Sequence, residues 1–583
     1  MTPPLSAVSG DAPAEANSSS RAPAIAVAPR EPSRALWFTA LTLATLAILA
    51  ILCAWQPVDE NSDFWAHAAT GRWILAHGQV PRQMLFLWTD HSPWIANSWA
   101  TQVLFGLFLR LGEERGVRMA LAWTAIMGIL ACLPLLWRWR VRAGDTFLLA
   151  IFGSMGVWLA GYRFTPRPEM WSLLFLSAIL LLCENWMAQD ARPGGTGRTG
   201  TTLAKRCAFL AAIFAAWSNF HGLVFVGMAF LGCAAVGEIV SSRFVARGAE
   251  KSINWTPLAW LAAAMLGTLA NPYGARLWGI LLMARNPAMT GGFPVDEFQP
   301  LFATPACPQE LLTCYVMLAA MALLAWFLAP RKRVTLLLWW LFATYLAFSS
   351  RRHIAFFALT MLVVFAGSEF SGTRIVNLLR DYGNRTGAAI GMAAEAKWKV
   401  WFARGLGLTS LLLWLWLGAS LNPEDIVISP GLPRSRCQFL ESHAVPPELY
   451  CDYGESSYFV WRLGETHPLF IHLLSVSDEL GHRYHDMVWQ YPAGIKDLNS
   501  GQINTVTLGP VSPQPGQYYP LLGVRIAYAR AHWALIYADA DGFVWVRRIP
   551  ATRALCKALE IHLPPEIFLP KAPSAGGNSE PAQ

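Results

Sequence analysis

The sequence predicts a polytopic α-helical membrane protein of about eleven spans, with a small α/β or α+β domain at its C-terminal end. Three observations predict it. Hydrophobic residues make up 54% of the 583 and charged residues only 14%, a balance that suits a chain whose solvent is largely lipid. Apolar runs of about 20 residues recur, the length that crosses a hydrocarbon core of about 30 Å. After Leu421 those runs give way to charges, prolines and short alternating segments, the pattern of a domain in water. The net charge of +8 does not point to nucleic acid, because Lys and Arg are dispersed between the apolar runs and report topology instead.

Residues 1–34 are rich in Ala, Pro and Ser and cannot bury a core, so they read as a disordered cytoplasmic tail. The run Ala35–Trp55 is too long and too deep in the chain for a cleaved signal peptide, and is expected to remain as an anchor. Arg21, Arg30 and Arg34 precede it, which places the following loop, 56–115, outside. Within that loop Trp94–Leu111 is apolar but broken by Asn97, Gln102 and Arg110, as expected of a helix lying along the membrane surface. Further spans are predicted near 117–137, 146–162, 169–188, 207–219, 221–241, 255–270, 309–329, 334–349, 354–370 and 401–420. Bases such as Arg138, Arg140 and Arg142, or Arg331, Lys332 and Arg333, fall on the loops that this alternation puts inside. The expected product is a plasma-membrane protein with its N-terminus in the cytoplasm. Its membrane domain is 35–421, its extracytoplasmic domain 422–570, and a disordered tail closes the chain at 571–583.

In the outer domain, helices are expected at Gln438–His443 and Ser456–Leu463, extended chain at Glu448–Tyr453 and Leu469–Leu474, and a hairpin over Ile526–Arg548 turning at Ala538–Gly542. Of ten cysteines, Cys53, Cys132, Cys183, Cys207 and Cys233 lie in or beside spans and read as small apolar fillers. Cys437 and Cys451 have a spacing that permits a bridge in an oxidising compartment, with Cys556 as competitor. No Cys or His spacing matches a zinc site.

The chemistry-bearing stretch follows the first span: Asp59, Glu60, Asn61, Ser62, Asp63, Phe64, Trp65, Ala66, His67. Ionisable groups beside a membrane are functional candidates. With Ser62 or Asp63 as cap, a helix running to about His77 puts Asp63 and His67 one turn apart on one face. Trp65, Trp73 and Ile74 then face an apolar side, as in an interfacial helix. The plainer reading makes Asp63 a cap and His67 a surface residue. Arg163 and Arg167, around Pro166, and Arg351, Arg352 and His353 sit at the outer ends of spans, where the inside-positive bias would not put them. Guanidinium forks there suit phosphate oxygens, against the alternatives of snorkelling or an ion pair with Glu169. Only about twelve apolar residues, roughly 18 Å of helix, separate Arg206 from the turn Trp217 to Gly222. That depth implies a cavity lined by Asn219 and His221, unless the helix starts earlier.

Several motifs carry a resemblance: D-x-x-x-D-F-W-A-H-A-A-T-G-R-W-I-L from Asp59, R-F-T-P-R-P-E-M from Arg163, W-S-N-F-H-G from Trp217, N-P-Y-G from Asn271 and S-R-R-H-I from Ser350. Over about 35–421 the layout resembles the GT-C membrane glycosyltransferases, which include protein O-mannosyltransferases, oligosaccharyltransferases and aminoarabinose transferases. The resemblance implies inverting sugar transfer from a polyprenyl-phosphate donor to an extracytoplasmic protein, lipid or glycan, with an outer-loop carboxylate as general base. By motif position the base is Asp63, with Asp59 and Glu60 as rivals. Such a donor is expected to set its phosphate against Arg163, Arg167 and Arg352, which stabilise the leaving-group charge, with His67, Asn219, His221 and His353 in support. Oligosaccharyltransferases add a divalent metal, for which Asp296 and Glu297 are weak candidates, so no metal is assigned. The competing classes are a non-catalytic transporter or scaffold for envelope polymers, and a polymer ligase or polymerase, which needs a large late outer loop.

Overall fold

A computed structural model describes residues 34–59, 62–143, 146–190, 200–245, 253–280, 296–302, 307–368, 428–474, 477–489, 492–510 and 521–568. The two tails, Glu60, the linker 191–199 and the expected span 401–420 lie outside the described residues. The first helices are α1 (Arg34–Ala54), α2 (Asp63–His77) and α3 (Trp99–Leu109). The bundle continues with α4 (Glu113–Ala143), α5 (Thr146–Gly161), α6 (Glu169–Asp190), α7 (Gly200–Phe220), α8 (Val224–Val240) and α9 (Thr256–Gly267). It ends with α10 (Gln309–Leu328), α11 (Val334–Ser349) and α12 (Ile354–Ser368).

Every residue of α12 is buried, and it packs against α4, α5, α6, α10 and α11, so it is the axis of the bundle. Polar ties join the ring around it: the Trp339 indole donates to the Phe230 carbonyl at 2.9 Å. On the outside, Leu266, Phe327 and Tyr345 are more than half exposed, an apolar skin that water would penalise and lipid accepts.

Five helical stretches among the described residues are long and apolar enough to cross a bilayer: Glu113–Leu136, Glu169–Asp190, Val224–Arg243, Gln309–Leu328 and Arg351–Ser368. The expected segments at 146–162, 255–270 and 334–349 form helices of 16, 12 and 16 residues. At about 1.5 Å per residue these fall short of a 30 Å core. Eleven full-length spans are therefore not seen among the described residues. The 207–219 segment is longer than expected, since α7 begins at Gly200 and has 21 residues.

The C-terminal part contains α13 (Arg434–Ser442), β1 (Leu449–Tyr450), α14 (Ser456–Leu463), α15 (Asp478–Val488) and α16 (Pro492–Asn499). After them come β2 (Thr505–Leu508), α17 (Leu521–Tyr528), β3 (Trp533–Asp539), β4 (Gly542–Arg547) and α18 (Arg553–Leu559). The sheet order is β1-β2-β4-β3, with β1 parallel to β2 and the other pairs antiparallel. The hairpin turns where expected, with Asp539 Oδ1 accepting the Asp541 N–H at 2.8 Å and Gly542 at φ 138°. It does not begin at Ile526, because buried Leu522 and Ile526 stand four apart, the spacing of a helix laid on the sheet. The bridge that the spacing permits is not formed: Cys437, Cys451 and Cys556 are free thiols. Cys437 and Cys451 are buried as apolar filler, and burial raises both well above the usual thiol pKa.

The first outer loop does not behave as an interfacial helix pair. Phe64 to Gly71 of α2 are all buried, and α2 and α3 share a hydrophobic core with the C-terminal domain and with Val117, Ala120 and Leu121 at the start of α4. Trp65 stands edge-on to Tyr458 of α14, centroids 5.1 Å apart, and Phe64 meets Phe105 of α3 at 5.0 Å. The close α2–α3 approach needs Gly71, where a Cβ would lie 1.8 Å from the Gln102 carbonyl oxygen.

Candidate active site

Ser62 caps α2, its Oγ accepting the Phe64 N–H at 3.3 Å, so Asp63 is the first helical residue and its carboxylate projects from the helix start, where a negative charge is stabilised. The Asp63 Oδ2 lies 3.4 Å from Arg167 Nε. Arg163 and Arg167 come from the turn between α5 and α6. Arg163 reaches Glu169 Oε2 at 2.7 Å and Glu297 Oε2 at 2.9 Å, and Arg167 reaches the same Glu297 oxygen at 2.8 Å. Arg352, just before α12, stands 3.9 Å from both Glu169 and Glu297, too far for hydrogen bonds. Its guanidinium lies 5.2 Å over the Phe298 ring.

Three guanidiniums and three carboxylates thus meet from separate parts of the chain. Glu297 is the hub. It sits on a short 3₁₀ turn, Asp296–Phe298, whose backbone is docked by the Ser350 hydroxyl donating to the Glu297 carbonyl at 2.9 Å and the Arg351 N–H donating to Gln299 at 3.1 Å. Burial works to raise its pKa, but Arg163, Arg167 and Arg352 outweigh it and hold the carboxyl well below the ordinary carboxylate range. For Arg163, burial opposes the charge and the Glu169 and Glu297 carboxylates outweigh it, so its pKa is raised.

The supporting residues are tied more tightly than a cavity lining would be. The Gln102 amide donates to His67 Nδ1 at 3.2 Å. Burial lowers the His67 pKa to about 4 in spite of Asp63, so the ring is neutral at pH 7 and adds no positive potential. Asn219 accepts the Trp99 indole N–H at 2.8 Å and donates to the Ala215 and Ala270 carbonyls at 2.7 Å. His221 Nδ1 lies 2.7 Å from Ser172 Oγ, which also accepts the Trp217 indole N–H at 2.8 Å. Because α7 starts at Gly200, the depth argument for a cavity at Asn219 and His221 falls. The His353 N–H donates to the Ser350 carbonyl at 3.0 Å. Asp59 is exposed and its carbonyl accepts the Trp65 indole N–H at 3.1 Å.

No family model matches the chain, and no curated protein matches it. Its likeness is in the fold. The chain is similar to the archaeal oligosaccharyltransferase AglB of Archaeoglobus fulgidus, solved in complex with an inhibitory peptide and a dolichol-phosphate, at 11% identity and a TM-score of 0.52. The match covers 88% of this chain and 75% of that one. The Archaeoglobus fulgidus oligosaccharyltransferase tethered with an acceptor peptide also matches at 0.52, with 11% identity over 88% and 74% of the two chains. ArnT of Cupriavidus metallidurans in the apo state matches at 13% identity and a TM-score of 0.46, over 90% of this chain and 99% of that one. These neighbours are GT-C-type membrane glycosyltransferases.

Two contributors were missed or misread from sequence. Glu297 was weighed as a metal ligand and is instead bound by arginines. Among the described residues no cluster of three His, Cys, Asp or Glu could hold a metal. Asp63, Glu169 and Glu297 already face guanidiniums, a donor set that does not fit a divalent ion as it stands. Tyr453, just after β1, was not singled out. Burial raises its phenol pKa, and the Asp63 and Glu297 carboxylates add to that rise, which places it near both. No local signal announces such a residue, since only the docking of the C-terminal domain brings it there.

Proposed function

We propose that this chain is a membrane glycosyltransferase that moves a sugar from a polyprenyl-phosphate donor to an extracytoplasmic acceptor. The observation that carries the reading is the 3.4 Å approach of Asp63, from the first outer loop, to Arg167 in a cluster that also gathers Arg163 and Arg352. A solved complex of the similar AglB contains a dolichol-phosphate, which supports a lipid-phosphate donor. The donor enters from the bilayer and sets its phosphate against Arg352, Arg167 and Arg163. An acceptor hydroxyl or amine attacks the anomeric carbon as the carbon–oxygen bond to phosphate breaks. The bond pair stays on the lipid phosphate, where the guanidiniums stabilise it, and the acceptor proton passes to Asp63 as general base. Asp59 and Glu60 are the reserve candidates for the base. His67, Asn219, His221 and His353 position the surrounding helices, and no step is routed through a metal. In this reading the N-terminus is cytoplasmic, and 422–570 lies outside with Tyr453 above the site.

The test is reconstitution with a radiolabelled polyprenyl-phosphate sugar and a panel of acceptors. The reading expects labelled product with release of free lipid phosphate in equal amount. Movement of intact lipid across the bilayer without that release would identify a transporter instead.

A further inference from the structure

The outer cluster is electrically balanced: Arg163, Arg167 and Arg352 against Asp63, Glu169 and Glu297. A lipid phosphate entering as it stands would leave the partly buried site with excess negative charge, which low-polarity surroundings penalise. Either a cation accompanies the phosphate or a carboxylate gives way. The three carboxylates differ in freedom. Glu169 is 3% exposed on α6 and holds Arg163 at 2.7 Å. Asp63 pairs with Arg167 at 3.4 Å. Glu297 has a side chain 23% exposed and occupies, with one oxygen, the donors of both Arg163 and Arg167 at 2.9 and 2.8 Å. A phosphate oxygen suits that bridging position. Beside it, Arg352 Nε is buried without a hydrogen-bond partner among the described residues, as is Glu169 Oε1. The Glu297 backbone is pinned by Ser350, so exchange requires only that its side chain turn, with no movement of the turn that carries it.

We propose that Glu297 is a built-in stand-in for the donor phosphate: its carboxylate keeps Arg163 and Arg167 charged, paired and in place, and the lipid phosphate displaces it on binding. This deepens the function proposed above and rests on it. Glu297 is thereby a positioning residue that sets donor affinity through its competition for the two arginines. Selectivity follows, because a neutral lipid gains nothing by entering a fork that is already filled, while a phosphate recovers the full bidentate contact.

The experiment is titration calorimetry of the full-length protein in detergent with a polyprenyl monophosphate and the matching polyprenol. Glu297→Gln is expected to bind the phosphate at least about fivefold tighter than the native protein, the usual lower range for coupled sites, with no gain for the alcohol. Glu297→Asp, which keeps the charge but draws it back by one methylene, is expected between the two and serves if the glutamine variant does not fold. Asp63→Asn makes the same change in charge away from the bridging position and is expected to tighten binding less. Unchanged or weaker phosphate binding by Glu297→Gln overturns the proposal, and weakening points to a cation held through Glu297. An equal gain from Asp63→Asn, or a gain shared by the alcohol, also overturns it. If the native protein does not bind the lipid phosphate, the donor reading itself fails, an outcome distinct from native binding without the gain.

Discussion

The α6 helix carries buried carboxylates at both ends, and the two ends use them differently. At the far end Glu184, 1% exposed, takes Arg333 of the α11 cap at 2.9 Å and Arg138 of α4 at 3.2 Å. Nearby Asp190 takes Arg206 of α7 at 2.9 Å, and that guanidinium lies 5.2 Å over Trp186. These contacts are hydrogen-bonded and join bundle helices to one another. About 23 Å away along the axis, Glu169 is the one member carried by a bundle helix in a cluster where Arg352 stands 3.9 Å from both Glu169 and Glu297 and Asp63 is brought in from the first outer loop. Ion pairs between bundle helices fasten them to one another, whereas a cluster at the seam between two cores, with Arg352 held at 3.9 Å from its acids, can exchange partners.

The sharpest way to break that contrast is Asp63→Asn. Transfer is expected to fall by about 10²-fold or more, the usual contribution of a general base, with expression and membrane insertion unchanged; retained transfer would move the base to Asp59 or Glu60. At the far end, Glu184→Ala leaves two arginines beside an apolar core and is expected to cost about 3–5 kcal/mol of stability, read as a lower Tm, with lipid-phosphate affinity unaltered. If instead the affinity collapses while Tm holds, the far end is not merely a fastening.

Trp65→Ala tests the seam itself. It removes a fully buried side chain shared by α2 and α14 and is expected to cost about 3–5 kcal/mol, with faster hydrogen exchange in α2 and the C-terminal domain than in α12. Uniform exchange across the molecule would mean the two cores unfold as one.

Acid should loosen the outer core. His67 and His472 both have pKa values lowered by burial to about 4, against about 6.5 in the unfolded chain. The unfolded state binds more protons between those values, so the stabilisation is present above pH 6.5 and is lost as pH falls toward 4, by up to about 3 kcal/mol per histidine. His472→Gln should flatten part of that profile in a thermal scan. The smallest effect is expected from Arg352→Lys, which keeps the charge but loses the fork, weakening lipid-phosphate binding by about tenfold at most.

Much of this architecture was legible in the sequence. Apolar runs and their period located α1, α4, α6, α8, α10 and α12, since a helix that must satisfy its backbone in lipid leaves a long unbroken signature. Ser62 and the His77–Gly78 boundary bracketed α2, because caps act over a few residues. Asp63, Arg163, Arg167 and Arg352 were singled out because charged groups at the ends of membrane helices stand out against apolar neighbours. The partners of those charges were not legible. Glu297 lies 130 residues from Arg167, Tyr453 lies in another domain, and no period or cap links positions so far apart.

The sequence by itself therefore determined the helices, their approximate ends and which side chains carry charge, all of which depend on local periodicity and on the cost of burying polar groups. Only the tertiary structure decided that α2 packs under the C-terminal domain instead of on lipid, that His67 is buried neutral, and that three arginines share three acids. Those outcomes depend on which surfaces exclude water together, a property of the assembled cores that no single stretch of chain contains.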